Sequence, residues 1–176
     1  MAKIEALSTT IFKESGERNI MGVAAIILSQ DGKILVVQET EDRPKADKRA
    51  GDWSIPAETI KEGESEIEAL LRLIEEEVGE NGDIICNPES DWIGDYQLQK
   101  GFDKWGRAYL LYFNGTSDAP RSFRAVGDEV INHRWMDPKK IRNLPRRAGV
   151  LEIVEDFIAG RKGVIREKCS PSFRPN

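Results

Sequence analysis

The apolar positions fall into short runs separated by polar, turn-forming stretches. Residues 23–28, VAAIIL, and 34–37, ILVV, are β-type runs flanking Asp31-Gly32, a pair that tolerates positive φ and favours a tight hairpin. Apolar runs at Trp92 to Leu98, Ala108 to Phe113 and Val130 to Met136 predict further strands, bounded by turn residues such as Gly101, Gly115 and Gly127. A sheet of several strands is expected. Between the hairpin and the short entry Trp53 to Pro56 lies ETEDRPKADKRAGD, a charged surface loop whose length suggests that it faces a ligand.

Helical spacing replaces alternation at residues 66–78. Ser65 is a good N-cap, Glu68 completes a capping box, and Gly79 ends the pattern. At about 100° per residue, Ile67, Leu70, Leu71, Ile74 and Val78 share one face, expected to pack on the sheet. Leu73, Glu76 and Glu77 fall together on another face, so periodicity assigns Leu73 outside the core. Asp137-Pro138 marks a short helical start, and Val150, Leu151, Val154, Phe157 and Ile158 recur at helical spacing before Gly160. The tail KGVIREKCSPSFRPN is expected to be loosely ordered.

Composition narrows the function classes. With 176 residues, 39% apolar and 32% charged, the chain suits one globular domain. Its net charge of -5 provides no broad attraction for nucleic acid or anionic membrane, so a phosphate-bearing ligand must meet local cations or a bound metal. Cys86, Cys169 and the single histidine, His133, do not make a zinc set, and both cysteines are read as reduced thiols. The N-terminal residues lack a continuous apolar core and nothing later reaches membrane-spanning length, so a cytoplasmic protein is expected.

The candidate chemistry lies on the acidic helix. Glu76 and Glu77 sit about 100° apart around the axis and can lean toward one point beside it, which suits a hard divalent cation. The alternative is an ordinary solvated helix face. The preceding stretch WSIPAETIKEGES supplies Trp53, Pro56, Gly63 and Glu64, and Arg72 sits inside the helix. Together these residues resemble the Nudix box, G-x5-E-x7-R-E-U-x-E-E-x-G-U with U a bulky aliphatic residue. The sequence matches at Glu64, Arg72, Ile74, Glu76, Glu77 and Gly79, and departs at Glu58, Leu73 and Glu80. The hairpin, the W-x-x-P entry, the strand EVINHRW followed by Asp137-Pro138 and the C-terminal amphipathic helix extend the resemblance.

The resemblance implies an α/β (α+β) fold, an α/β/α sandwich around a mixed sheet. It also implies one domain over 1–176, with a core of about 20–160 and extensions at 1–19 and 161–176. The implied activity is divalent-metal-dependent hydrolysis of a nucleoside diphosphate linked to another moiety. Magnesium, or manganese, would be held by Glu76, Glu77 and a loop carbonyl near Ala57, with Glu58 adding a carboxylate, while Glu64 and Arg72 organise the site. Many family members carry a metal-binding, water-activating carboxylate at the position of Leu73, and leucine can do neither job. On this reading Leu73→Glu restores or raises hydrolysis.

The base must then come from elsewhere. Glu129 in GDEVINHRW is the first choice and Glu58 the second, although glutamate in place of a loop glycine can reshape the turn. Glu75 points away from Glu77 and is set aside. Trp92, Tyr96, Phe102, Trp105 and Tyr109 can stack on a base or simply fill the core. Arg43, Lys45, Lys48 and Arg49 can meet phosphates or stay solvated. Arg43, Arg49 and Trp53 are the substrate-binding candidates. The expected partner is a small nucleoside diphosphate derivative, with no membrane and no nucleic acid except a capped or triphosphorylated RNA end. A homodimer is left open. The competing reading is a Nudix-fold binding or regulatory domain that has lost hydrolysis through Leu73.

Overall fold

The computed structural model describes residues 3–4, 18–46, 48–78, 84–87, 91–97, 104–118 and 131–175. Their strands are β1 (Lys3–Ile4), β2 (Ile20–Leu28), β3 (Ile34–Glu39), β4 (Trp53–Ser54), β5 (Ala57–Thr59), β6 (Ile84–Cys86), β7 (Trp92–Gln97), β8 (Trp105–Phe113), β9 (Ile131–Met136) and β10 (Val164–Arg166). The helices are α1 (Glu66–Leu73), continued by one π-helical turn at Ile74–Val78, and α2 (Val150–Ile158), preceded by a 3-10 turn at Pro138–Asn143.

The central strand is β2, parallel to β8 from Ile20↔Trp105 to Leu28↔Tyr112 and antiparallel to β5 at Gly22↔Thr59 through Ala24↔Ala57. It meets β3 at Leu28↔Ile34, after which β3 pairs with β4 and β9. The hairpin turn uses one positive-φ residue, Gly32 at 78°, while Asp31 keeps ordinary φ. Asp31 instead accepts a 2.6 Å hydrogen bond from the Ser29 hydroxyl and a 2.9 Å bond from the Ser117 amide. Antiparallel β7 and β6 share the two halves of β8, and β10 and β1 add parallel edges to β7 and β6.

Side chains alternate across the sheet and build two cores. Val23, Ala25, Ile27, Leu35, Tyr109, Leu111 and Phe113 pack against α1. Ile26, Ile34, Val36, Ile93 and Ala108 pack with Val150, Ile153 and Val154 of α2. The result is the expected α/β/α sandwich around a mixed sheet. The capping box forms as read: Ser65 Oγ accepts from the Glu68 amide at 3.2 Å, and Glu68 Oε2 accepts from the Ser65 amide at 2.7 Å.

Two expectations are corrected. Leu73 has no exposed surface and lies with Ala69, Leu70 and Ile74 in the α1 core, whereas Ile67 and Leu71 are only partly buried. Weighing only bulky residues left out Ala69, which shares a face with Leu73 one turn on and moves the buried stripe around the axis. The π turn from Ile74 then breaks the 100° step, so a single helical wheel does not apply beyond Leu73. The tail is also not loose: β10 pairs with β7, and Cys169 packs against the α2 core. Ile158, the last of the spaced apolar residues in α2, is 43% exposed.

Candidate active site

The loop between β5 and α1 turns at Gly63, whose φ is +77°, and delivers Glu64 to the start of the helix. Helical side chains lean toward the N-terminus, so Arg72 reaches back over that loop. Its guanidinium makes a bidentate pair with Glu64, Nε to Oε1 at 2.9 Å and Nη2 to Oε2 at 3.0 Å. Nη2 also donates to the Thr59 carbonyl at 2.6 Å, which ties the helix to β5. Nη1 donates to Glu58 Oε2 at 3.0 Å and to Glu76 Oε2 at 3.4 Å. Three carboxylates on one guanidinium leave two negative charges in excess.

Glu64 also accepts from the Lys61 amide at 2.9 Å, and the Arg72 bond holds its carboxyl down at about 2. The same partners, Glu64 and then Glu58, push the Arg72 guanidinium further above its ordinary value. Glu58 sits in extended backbone opposite Val23, with no positive φ, so its glutamate does not distort the turn. Close approach is met across the pair instead, where a Cβ on Gly22 would stand 3.1 Å from the Glu58 carbonyl oxygen.

Beside this cluster, on the α2 face, opens a cavity of about 460 Å³. Gly22, Val23 and Ala24 of β2 with Ala57, Glu58 and Thr59 of β5 form one wall, and Tyr96, Gly106, Val150 and Ile153 contribute to the rest. Arg43, Lys48, Arg107 and Arg147 add cations. Lys48 Nζ lies 3.5 Å from Glu39, and Arg107 is committed to buried Asp95, at 2.7 and 3.0 Å, and to Glu66 at 3.0 Å. Arg43, Lys48 and Arg147 line the cavity outside that buried network.

The sequence candidates sort unevenly. Glu64, Arg72, Glu76 and Glu58 come together, Ala57 lines the cavity beside Glu58, and Glu76 leaves 39% of its side chain exposed. Glu77 lies on the π turn, and its side chain is outside the described residues, as are Glu129 and Glu80. Arg43 lines the cavity, whereas Arg49 is exposed away from its wall. Trp53 is 8% exposed in the α2 core, with the Arg134 guanidinium 5.7 Å from its ring centre. Tyr96, Trp105 and Tyr109 are likewise buried, with Tyr96 also lining the cavity, and Phe102 lies outside the described residues.

Two features had no weight in the sequence reading. Arg147 reaches the cavity from the loop before α2, where the adjacent arginines of Pro145-Arg146-Arg147 were the available signal. Arg107 lies within a β run, and its pairing to Asp95 and Glu66 holds α1 over the sheet. Tyr109 donates to the same Glu66 oxygen at 2.9 Å, and burial pushes its hydroxyl well above the usual phenol range.

Among the described residues no group of three or more His, Cys, Asp or Glu side chains is arranged to hold a metal ion, because the carboxylates face Arg72 rather than a common centre. The donor chemistry nevertheless fits a hard cation: oxygen ligands, an excess of two negative charges and a partly exposed Glu76.

The CTP pyrophosphohydrolase of Escherichia coli is 27% identical over 139 residues, covering 79% of this chain and 92% of that protein. The human 8-oxo-dGDP phosphatase NUDT18 is 34% identical over 133 residues, and the zebrafish protein of the same name 29% over 141. The chain spans 37% and 38% of the length of those two proteins, well under half. A NUDIX hydrolase structure from Nitrosomonas europaea shares the fold, with a TM-score of 0.61 at 23% identity over 83% of this chain and 92% of that one. The NUDIX domain model matches residues 18–157, which take in the Arg72 cluster and the cavity wall, and the chain belongs to the NUDIX family.

Proposed function

We propose that the protein is a divalent-metal-dependent pyrophosphohydrolase acting on a nucleoside diphosphate linked to another moiety. The observation that carries this reading is the Arg72 cluster, Glu58, Glu64 and Glu76 around one guanidinium, standing beside a cavity edged by Arg43, Lys48 and Arg147. Glu58 links the two, since it pairs with Arg72 and lines the cavity with the cations, and an anionic group near cations at one ligand-sized space suits a phosphate-bearing substrate and a bridging cation. Nucleotide substrates are named for the bacterial and human relatives, which supports the same class here.

Glu76 and Glu77 would hold magnesium or manganese, with the Ala57 carbonyl as a further oxygen, and the metal would supply charge neutralisation at the phosphates. Arg72 orients Glu64 and Glu76 and keeps Glu64 ionised. Arg43, Lys48 and Arg147 steady the phosphate oxygens, and the nucleoside occupies the apolar wall formed by Ala24, Val150 and Ile153. Water then attacks phosphorus, the anhydride P–O bond breaks with its electron pair leaving on the departing phosphate, and the proton the water loses passes to a carboxylate other than residue 73. Glu129 is the proposed acceptor. The protein is read as cytoplasmic, without a nucleic-acid partner other than a capped or triphosphorylated RNA end. Among the described residues no helix is long and apolar enough to cross a membrane.

The test is hydrolysis of nucleoside triphosphates including CTP, 8-oxo-dGDP, ADP-ribose, nucleotide sugars, dinucleoside polyphosphates and capped RNA, with magnesium or manganese. Wild type is expected to turn over at least one class, Glu77→Gln none, and Glu129→Gln to lose about 10²-fold or more while keeping its metal affinity. A second reading, nucleotide binding without turnover, rests on the core burial of Leu73, which leaves no carboxylate at that position. Binding of a nucleotide with no turnover in the whole panel selects it.

A further inference from the structure

The family match ends at residue 157, yet the chain continues as an ordered strap across the α2 face. Its first anchor is β10, where Arg166 donates to both oxygens of fully buried Asp156 at 2.8 and 2.6 Å. The strap then crosses to the loop before α2: the Ser170 amide donates to Glu152 at 2.6 Å, and the Gly149 amide to the Ser170 carbonyl at 3.2 Å. Phe173 and Arg146 exchange backbone hydrogen bonds at 2.8 and 2.9 Å, and the Arg146 guanidinium lies 4.4 Å from the Phe173 ring centre. One residue on, Arg174 Nη2 donates to Asp52 at 2.9 Å, and Asp52 is only 2% exposed.

These last two anchors hold the two loops that carry the cavity's cations. Arg146 is the neighbour of Arg147, whose amide donates to the Trp53 carbonyl at 3.1 Å. Asp52 closes the loop bearing Arg43 and Lys48: its carbonyl accepts from the Glu39 amide and its amide donates to the Arg49 carbonyl, each at 3.0 Å, while Arg43 and Lys48 exchange backbone bonds at 2.8 and 3.1 Å. Trp53, next in sequence to Asp52, also donates to the Pro145 carbonyl at 2.9 Å, so the two loops are stitched together where the strap lands.

We propose that Phe173 and Arg174 are positioning residues, which fix loops 43–52 and 145–149 and thereby set the spacing of Arg43, Lys48 and Arg147 for a polyphosphate group. The polyphosphate part of this inference rests on the proposed function, whereas the loop clamp does not. Side chains acting through the same loop are coupled, so their effects on binding do not add.

The experiment uses the full chain as wild type, Phe173→Ala, Phe173→Tyr, Arg174→Ala, Arg147→Ala and the Phe173→Ala/Arg147→Ala double variant. Hydrogen exchange is expected to quicken about tenfold at the Arg147, Gly149 and Trp53 amides in Phe173→Ala, to stay unchanged in β2 and β8, and to recover in Phe173→Tyr. Inorganic tripolyphosphate, titrated calorimetrically, is expected to bind about tenfold more weakly to Phe173→Ala and Arg174→Ala, with the double variant no weaker than Arg147→Ala alone. Unchanged exchange at the loop amides overturns the clamp. A wild type that does not bind tripolyphosphate, unaltered affinity in both strap variants, or additive losses overturn its action on the cations. Coupled binding without hydrolysis of any nucleotide leaves this inference standing and removes the hydrolase reading.

Discussion

Arg72 is the residue on which the site's carboxylates converge, and its hold on Glu64 sets a measurable property. A bidentate guanidinium and the Lys61 amide both favour the ionised carboxylate, so the Glu64 pKa is depressed to about 2. A depressed carboxyl contributes stability that is complete above its unfolded value and is lost as pH falls from there through about 2. Carbon-detected NMR titration of the Glu64 carboxyl is expected to show a midpoint near 2, and a midpoint at the ordinary glutamate value would mean that the pair does not persist in solution. Glu58 and Glu76 share the same guanidinium, which explains how a glutamate at a family glycine is accommodated: it adds an arginine partner on an extended strand.

Leu73 carries a second residue-scale prediction. Because it has no exposed surface and packs beside Leu70, Ile74 and Tyr109, Leu73→Ala is expected to cost about 2–5 kcal/mol by the lost contacts and the cavity left behind. Leu73→Glu buries a carboxylate with no cation assigned to it and is expected to destabilise at least as much, without a gain in hydrolysis. Urea unfolding of the two variants measures the first point and the metal-dependent assay the second. A stable Leu73→Glu protein with raised turnover would return residue 73 to the catalytic face.

At the scale of elements, α1 and the strap show where sequence patterns carried and where they did not. The capping box, the start of α1, the β2–β3 hairpin and the amphipathic α2 were legible because each depends on neighbours within a few positions. The buried stripe of α1 was displaced because Ala69, small and easily ignored, lies against the sheet, and because the π turn changes the angular step before Glu76. The strap was misread as loose because its anchors, Asp156, Arg146 and Asp52, are distant or belong to other elements, and a polar tail gives no periodic signal. Its Cys169 offers a check: burial pushes the thiol up to about 12, so the docked strap contributes stability present below the ordinary thiol value and lost as pH rises through about 12. At pH 8 native Cys169 is expected to alkylate far more slowly than the same cysteine in denaturant, by peptide mass spectrometry. Equal rates would show that the strap does not stay docked.

At the scale of the whole molecule, the two faces of the sheet divide the work. The α1 face carries the acidic cluster, and its buried Asp95, Arg107 and Glu66 network fixes the helix on the sheet. The α2 face carries the cavity and its cations. The residues of the acidic cluster were legible because the box is local in sequence. The cavity was not, because Gly22, Arg43, Tyr96 and Arg147 come from four separate stretches and meet only through the sheet order. Of the aromatic residues that sequence alone offered as base-stacking groups, Tyr96 and Tyr109 belong to the cores and Trp92 packs against one, with Tyr96 alone among these three also lining the cavity.

The most direct measurement of the central claim is nucleotide hydrolysis followed as magnesium is titrated in, for wild type and for Glu76→Gln. The account predicts turnover that is absent after chelation, rises with the metal and falls by about 10²-fold or more in the variant. A wild-type protein that binds nucleotide at every magnesium concentration and releases no product would contradict it.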